Sequence, residues 1–107
     1  MPLAIESLEA ATDAELSAHA RAEKYAGLCT AYSRKKDFAA QADALSRWCR
    51  LCPDDPNAWT AEAIYSEHRS KDLARALTAA EKAYLLNPTP ERSKRIERLN
   101  RRLGVPA

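Results

Sequence analysis

The chain has 107 residues, of which 22 are Ala and 12 are Leu, whereas Gly numbers 2 and Val, Ile and Thr together number 9. Strands favour β-branched and aromatic residues and hairpins need glycine, so this composition excludes a β fold; Ala and Leu cost least to hold in a helix. The net charge of +2 is too balanced for nucleic-acid binding by the whole chain.

In chain order, residues 3–11 predict a short helix through Ile5 and Leu8. A longer helix is expected over 13–35, opened by a capping box in which Thr12 and Glu15 satisfy each other's backbone donors. Further helices follow over 38–52, 56–69, 72–87 and 90–103. Asp55-Pro56 and Thr89-Pro90 each place a capping side chain before a proline at the first helical position, where no N–H is needed. Pro53 and Pro88 stop the preceding helices, and Gly104 followed by Pro106 ends the last. The connections Lys35-Lys36-Asp37 and Ser70-Lys71 are short and polar, so the helices they join are antiparallel neighbours.

An internal repeat underlies this order. Shifted by 34, Tyr25 falls on Trp59, Cys29 on Ala63 and Pro56 on Pro90; shifted by 35, Asp37 falls on Asp72, Phe38 on Leu73, Leu51 on Leu86 and Pro53 on Pro88. One extra residue near Ser70-Lys71 accounts for the difference. Tyr25, Leu28, Cys29 and Tyr32, then Asp37-Phe38, Leu45 and Pro53, resemble the tetratricopeptide repeat. The second unit looks like a looser copy, with Trp59, Ala63, Asp72-Leu73, Ala76, Ala80, Ala83 and Pro88 at the matching places. Gln41, Glu62 and Ser66 depart from the pattern, standing for alanine, leucine and tyrosine. Large Leu45 and Trp48 face the smaller Ala80 and Ala83 across the shift, as compensating volumes would. Trp48 and Tyr32 are both expected in the core.

The resemblance implies an all-α, right-handed stack of antiparallel helical hairpins forming one domain over 1–107. Its parts are an N-terminal extension over 1–20, repeats over 21–54 and 55–89, and a capping helix over 90–104. Ile96, Leu99 and Leu103 give that last helix a narrow apolar stripe among charges, as a solvating cap needs. The resemblance also implies a concave groove lined by the first helix of each unit, holding a peptide or helix of another protein. Thr30, Ile64 and Arg98 form one row of that groove; Arg34, His68 and Arg102 form a second; Thr60 and Lys94 belong to a third. The basic members call for an acidic or amphipathic segment. The family's clamp for chaperone tails needs lysine and asparagine where this chain has Ala26, Thr30 and Ile64, and only Arg95 matches a basic clamp residue, so that use is disfavoured.

Chemistry of other kinds finds little support. Cys49-x-x-Cys52 sits in the last turn of its helix, where the dipole opposes a thiolate, and it lacks the second ligand pair of a zinc site. His19 and His68 have no partners that read as a triad, and with one glycine before residue 104 there is no phosphate-cradling loop. Neither catalysis, a metal nor a cofactor is expected. Residues 91–103 carry six basic side chains against two acidic ones but no aromatic to stack on a base, so nucleic acid is not an expected partner. No stretch approaches a membrane span, and the absence of a basic leader with a long apolar run predicts a cytoplasmic protein with reduced thiols. Residues 1–20 carry Glu6, Glu9, Asp13 and Glu15 and no Lys or Arg. An alternative to the adaptor is therefore a self-associating subunit whose acidic end meets a neighbour's basic end. A cysteine-based metal- or redox-responsive domain is the third reading.

Overall fold

The structure, a computed structural model, describes residues 16–104. The expected helix over 3–11 and the Thr12–Glu15 capping box lie outside the described residues. Five α-helices and no strand occur among those described: α1 (Ala18–Arg34), α2 (Phe38–Leu51), α3 (Pro56–His68), α4 (Leu73–Leu86) and α5 (Pro90–Leu103). The chain forms two compact units, Met1–Cys52 and Pro53–Ala107.

The first unit is the hairpin of α1 and α2. The helix expected from residue 13 begins instead at Ala18. Ser17 is extended, at φ −65° and ψ 165°, and its hydroxyl accepts from the Ala20 N–H, satisfying an orphan donor of the first turn. The end of α1 is a Schellman closure. Asp37 N–H donates to Tyr32 O at 2.9 Å and Lys36 N–H to Ser33 O at 3.0 Å, with Lys36 in the left-handed region at φ 59°. Asp37 then accepts from Ala40 N–H and opens α2, so one side chain starts the helix that follows immediately on the turn. Tyr25, Leu28 and Cys29 of α1 and Ala44, Leu45, Trp48 and Cys49 of α2 are buried, the latter at the i, i+1, i+4, i+5 spacing of one helix face. Trp48 is in the core as expected; Tyr32 is not. Tyr32 is only half-buried, because in the last two turns of α1 it lines a solvent-open cleft between the helices.

The second unit repeats the device and adds a helix. Asp55 caps α3, and the Trp59 Nε1–H donates to Pro53 O at 2.8 Å, pinning the entry of the chain. The turn after α3 is one residue longer than its counterpart. Lys71 again takes φ 59°, Asp72 N–H reaches back to Ser66 O at 2.9 Å, and Asp72 caps α4. Ala76, Ala79, Ala80 and Ala83 are buried along α4, and three of them stand 35 residues after Ala44, Leu45 and Trp48. Small side chains here let the helices approach closely. Thr89 caps α5, which packs on α4 through Leu99, fully buried in a cluster with Ala63, Ala76, Ala79 and Ala80. Trp59, Leu73, Leu77 and Ile96 close round that cluster. Gly104, at φ 76°, ends α5 in a left-handed turn that favours glycine.

Trp48→Ala removes the largest buried side chain of α2 and should cost roughly 3–5 kcal/mol, as other truncations of buried aromatics do. Urea unfolding of the two proteins measures it, and a loss under about 1 kcal/mol would place Trp48 outside the core.

Candidate functional site

The helix α3 has an unusual buried face. Ala58, Glu62, Ala63, Ser66 and Glu67 are buried, so two carboxylates share an interior stripe with two alanines. A buried carboxylate needs partners, since desolvation otherwise costs several kcal/mol. Glu62 pairs with Arg75 of α4 and accepts from the Ser66 hydroxyl. Glu67, 1% exposed, is met from α5 by two arginines. Arg98 grips it in a fork, Nε to Oε2 at 3.0 Å and Nη2 to Oε1 at 2.7 Å, and Arg102 Nη1 donates to Oε2 at 3.1 Å. His68 Nε2 lies 3.6 Å from Oε1. The Arg98 hydrogen bond, opposed by burial, holds the Glu67 carboxyl below the usual range, with the nearby charges of Arg98 and His68 and the Arg102 bond adding to it. The same bond raises the Arg98 guanidinium.

A second set of polar contacts joins α5 to α3 and to the end of α4, one to two turns earlier. Arg92 donates through Nε to Thr60 Oγ1 at 3.1 Å and through Nη1 to Asn87 O at 2.9 Å, and Nη2 lies 3.4 Å from Asn57 Oδ1. Arg95, between Arg92 and Arg98, is desolvated, which with their repulsion lowers its pKa, Glu67 opposing; its buried Nε has no hydrogen-bond partner.

The expected groove residues divide between the units. Thr30 and Arg34 stand exposed on α1, with the Thr30 hydroxyl turned to the Ala26 carbonyl at 3.0 Å. The other six lie in the second unit. Thr60, Ile64 and His68 follow one another at i, i+4 and i+8 on α3, and Lys94, Arg98 and Arg102 do so on α5. The bonds from Arg98 and Arg102 to Glu67 bring the ends of these rows together, and Arg92 ties α5 to Thr60. Ile64 is an exposed large apolar side chain, at 41%, in the middle of its row. Arg98 and Arg102 therefore have a structural task that a reading of the groove alone leaves out. Glu67 was absent from the expected residues. Its signal in the sequence is the spacing 58, 62, 63, 66, 67, which traces a single helix face.

Among the described residues no group of three or more His, Cys, Asp and Glu is placed to hold a metal ion, and no helix is long and apolar enough to cross a membrane. Cys29 and Cys49 are buried thiols and Cys52 is half-buried. No protein-family model, curated protein or solved structure matches the chain.

Because the folded-state pKa of Glu67 is depressed, its stabilising contribution is complete above the unfolded value of 4.5 and is lost as pH falls through the lower folded value. Glu67→Gln should flatten the dependence of stability on pH below about 4.5, measured as urea midpoints across acid pH. Glu67→Ala at neutral pH should cost about 3 kcal/mol, the low end for breaking a buried pair, because both arginines keep over two-fifths of their side chains in water.

Proposed function

We propose that the chain is a non-enzymatic protein-interaction module of tetratricopeptide-like hairpins, whose second unit holds an acidic, amphipathic segment of another protein against α3 and α5. The observation that carries this reading is Ile64, an exposed apolar side chain flanked by Thr60 and His68 on its own helix and accompanied by the cationic row Lys94, Arg98 and Arg102. An apolar anchor beside a charged rim is how an amphipathic helix or extended peptide is held. The single carboxylate of Glu67 answers two guanidinium groups, so positive charge remains on the face for a partner. Rim charges of that kind mainly steer encounter, whereas a buried apolar contact sets the rate of release. The repeated hairpin geometry supports the same reading. Left-handed Lys36 and Lys71 each precede a capping aspartate, and the buried faces of α2 and α4 stand 35 residues apart.

The test must separate binding from folding. Reversing Arg98 or Arg102 would expose Glu67 to loss of its partners, so Lys94→Glu and Ile64→Asp are the informative changes. Affinity capture with the parent chain and both variants, quantified by mass spectrometry, should return partners that Ile64→Asp loses. Lys94→Glu should slow association and weaken its salt dependence in surface plasmon resonance with the captured segment. Equal capture by all three proteins would remove this face from the function. Light scattering at several salt concentrations completes the experiment. A salt-sensitive mass of twice 11.9 kDa would assign the face to a second copy of the chain instead.

A further inference from the structure

One half-buried cation on α5 has no partner. Arg92, Arg95, Arg98 and Arg102 recur at three- and four-residue intervals, so they share one side of the helix. Arg92 spends Nε, Nη1 and Nη2 on the neutral oxygens of Thr60, Asn87 and Asn57, and Arg98 and Arg102 share the Glu67 carboxylate. Arg95 stands between them, and its buried Nε meets no acceptor. The crevice it lines with Thr60, Ala63, Ala80, Ala83 and Arg92 is too narrow to admit a water molecule, so solvent does not stand in on that side. Packing does not call for an arginine here. At the 34-residue offset Arg95 falls on Ala61 and then on Gly27, both half-buried, so the matching place on α3 and on α1 holds a small residue. A polar atom left without a partner in such a place calls for a reason outside the fold.

We propose that Arg95 receives one carboxylate side chain of the acidic segment held against α3 and α5. The source of the carboxylate rests on the reading of that face given above; the affinity of Arg95 for a carboxylate does not. The donors that remain select the ligand. With Nε shut in, the guanidinium offers its outer Nη edge, whose paired N–H groups match the two oxygens of a carboxylate. Little beside it would hold a third oxygen. The Thr60 hydroxyl donates to Pro56 O at 2.8 Å, and the three alanines of the crevice bring no polar side chain. A phosphate would leave its further oxygens unmet, whereas a carboxylate is satisfied by the fork alone. Burial has already stripped much of the water from Arg95, so a carboxylate that reaches it gains more than one that meets the exposed Lys94.

The experiment reads the arginine Nε–H signals of the isotope-labelled full chain by nuclear magnetic resonance, with Arg95→Met assigning the Arg95 signal by its loss. Sodium acetate, exchanged for sodium chloride at constant ionic strength, should move the Arg95 signal saturably and leave that of Arg98, already bound to Glu67, in place. Arg95→Met should keep or raise the urea midpoint in chloride, because it removes an unpaired cation and retains an unbranched stem. No response, an equal response at every arginine, a stronger response to inorganic phosphate, or a lowered urea midpoint would each overturn the site. A second arm uses the segment captured by the parent chain. Arg95→Met should weaken its binding roughly tenfold, amidating one of its acidic side chains should do the same, and the two together should cost no more than either alone. Loss of binding on amidating only its C-terminus would overturn the side-chain assignment. If Ile64→Asp abolishes capture while Arg95→Met binds as the parent does, the face stands and the Arg95 site falls. If acetate moves the Arg95 signal but capture is equal for all variants, the face falls and with it the partner as the source of the carboxylate.

Discussion

The second unit depends on one carboxylate. Glu67 is nearly inaccessible to water, and it sits on α3 where a helix of ordinary composition would present an apolar side chain. Such a group is tolerable only when its charge is answered, and α5 answers it twice, through Arg98 and Arg102. The helix α5 packs Leu99 into a cluster with Ala63 of α3 and the alanines of α4, and long polar side chains add a second hold on α3. Removing Glu67 would therefore loosen α5 from α3 and leave two neighbouring guanidinium groups in mutual repulsion. An apolar replacement of all three partners would avoid the desolvation cost, yet it would also remove the fork geometry that fixes the position of α5 along α3.

This arrangement couples stability to the surface a partner would meet. Arg98 and Arg102 are at once structural partners of Glu67 and members of the exposed cationic row. Their heads are pre-oriented by the buried carboxylate, which lowers the entropy lost when they meet a second acidic group. Ile64 stands exposed on the same helix as Glu67, one turn earlier, so an exposed apolar side chain and the buried carboxylate share one element. The modest net charge of the chain hides this. The six basic residues of α5 are offset by acidic residues elsewhere in the sequence, and only locally does positive charge prevail.

The two hairpins also show how one backbone plan accepts different interiors. Leu45 and Trp48 fill α2, whereas Ala80 and Ala83 take the matching places on α4. Leu28 has Glu62 as its counterpart, and Glu62 is made tolerable by Arg75, where the first unit has only Ala40. The turn differs by one residue, and the backbone absorbs it by closing over seven residues rather than six, with the lysine still left-handed and the aspartate still capping. Capping is local chemistry and survives the insertion; packing is collective and is rebalanced side chain by side chain.

The sequence by itself determined the helical class, the number of described helices and most of their limits. Those are set by neighbours in the chain: Asp37, Asp55, Asp72 and Thr89 cap, Pro56 and Pro90 open, and Gly104 closes. The start of α1 escaped because its cap is Ser17, and a serine among helix-forming residues reads equally well as helix interior. The candidate face was legible only in outline. The four-residue spacing of Thr60, Ile64 and His68, and of Lys94, Arg98 and Arg102, is a property of a helix and can be read from residue numbers. That Glu67 is buried, and that it binds arginines 31 and 35 residues away, was decided by tertiary structure. A carboxylate on a helix is stable in water or beside a cation, and only the packing of α5 over α3 and α4 settles which of the two it meets.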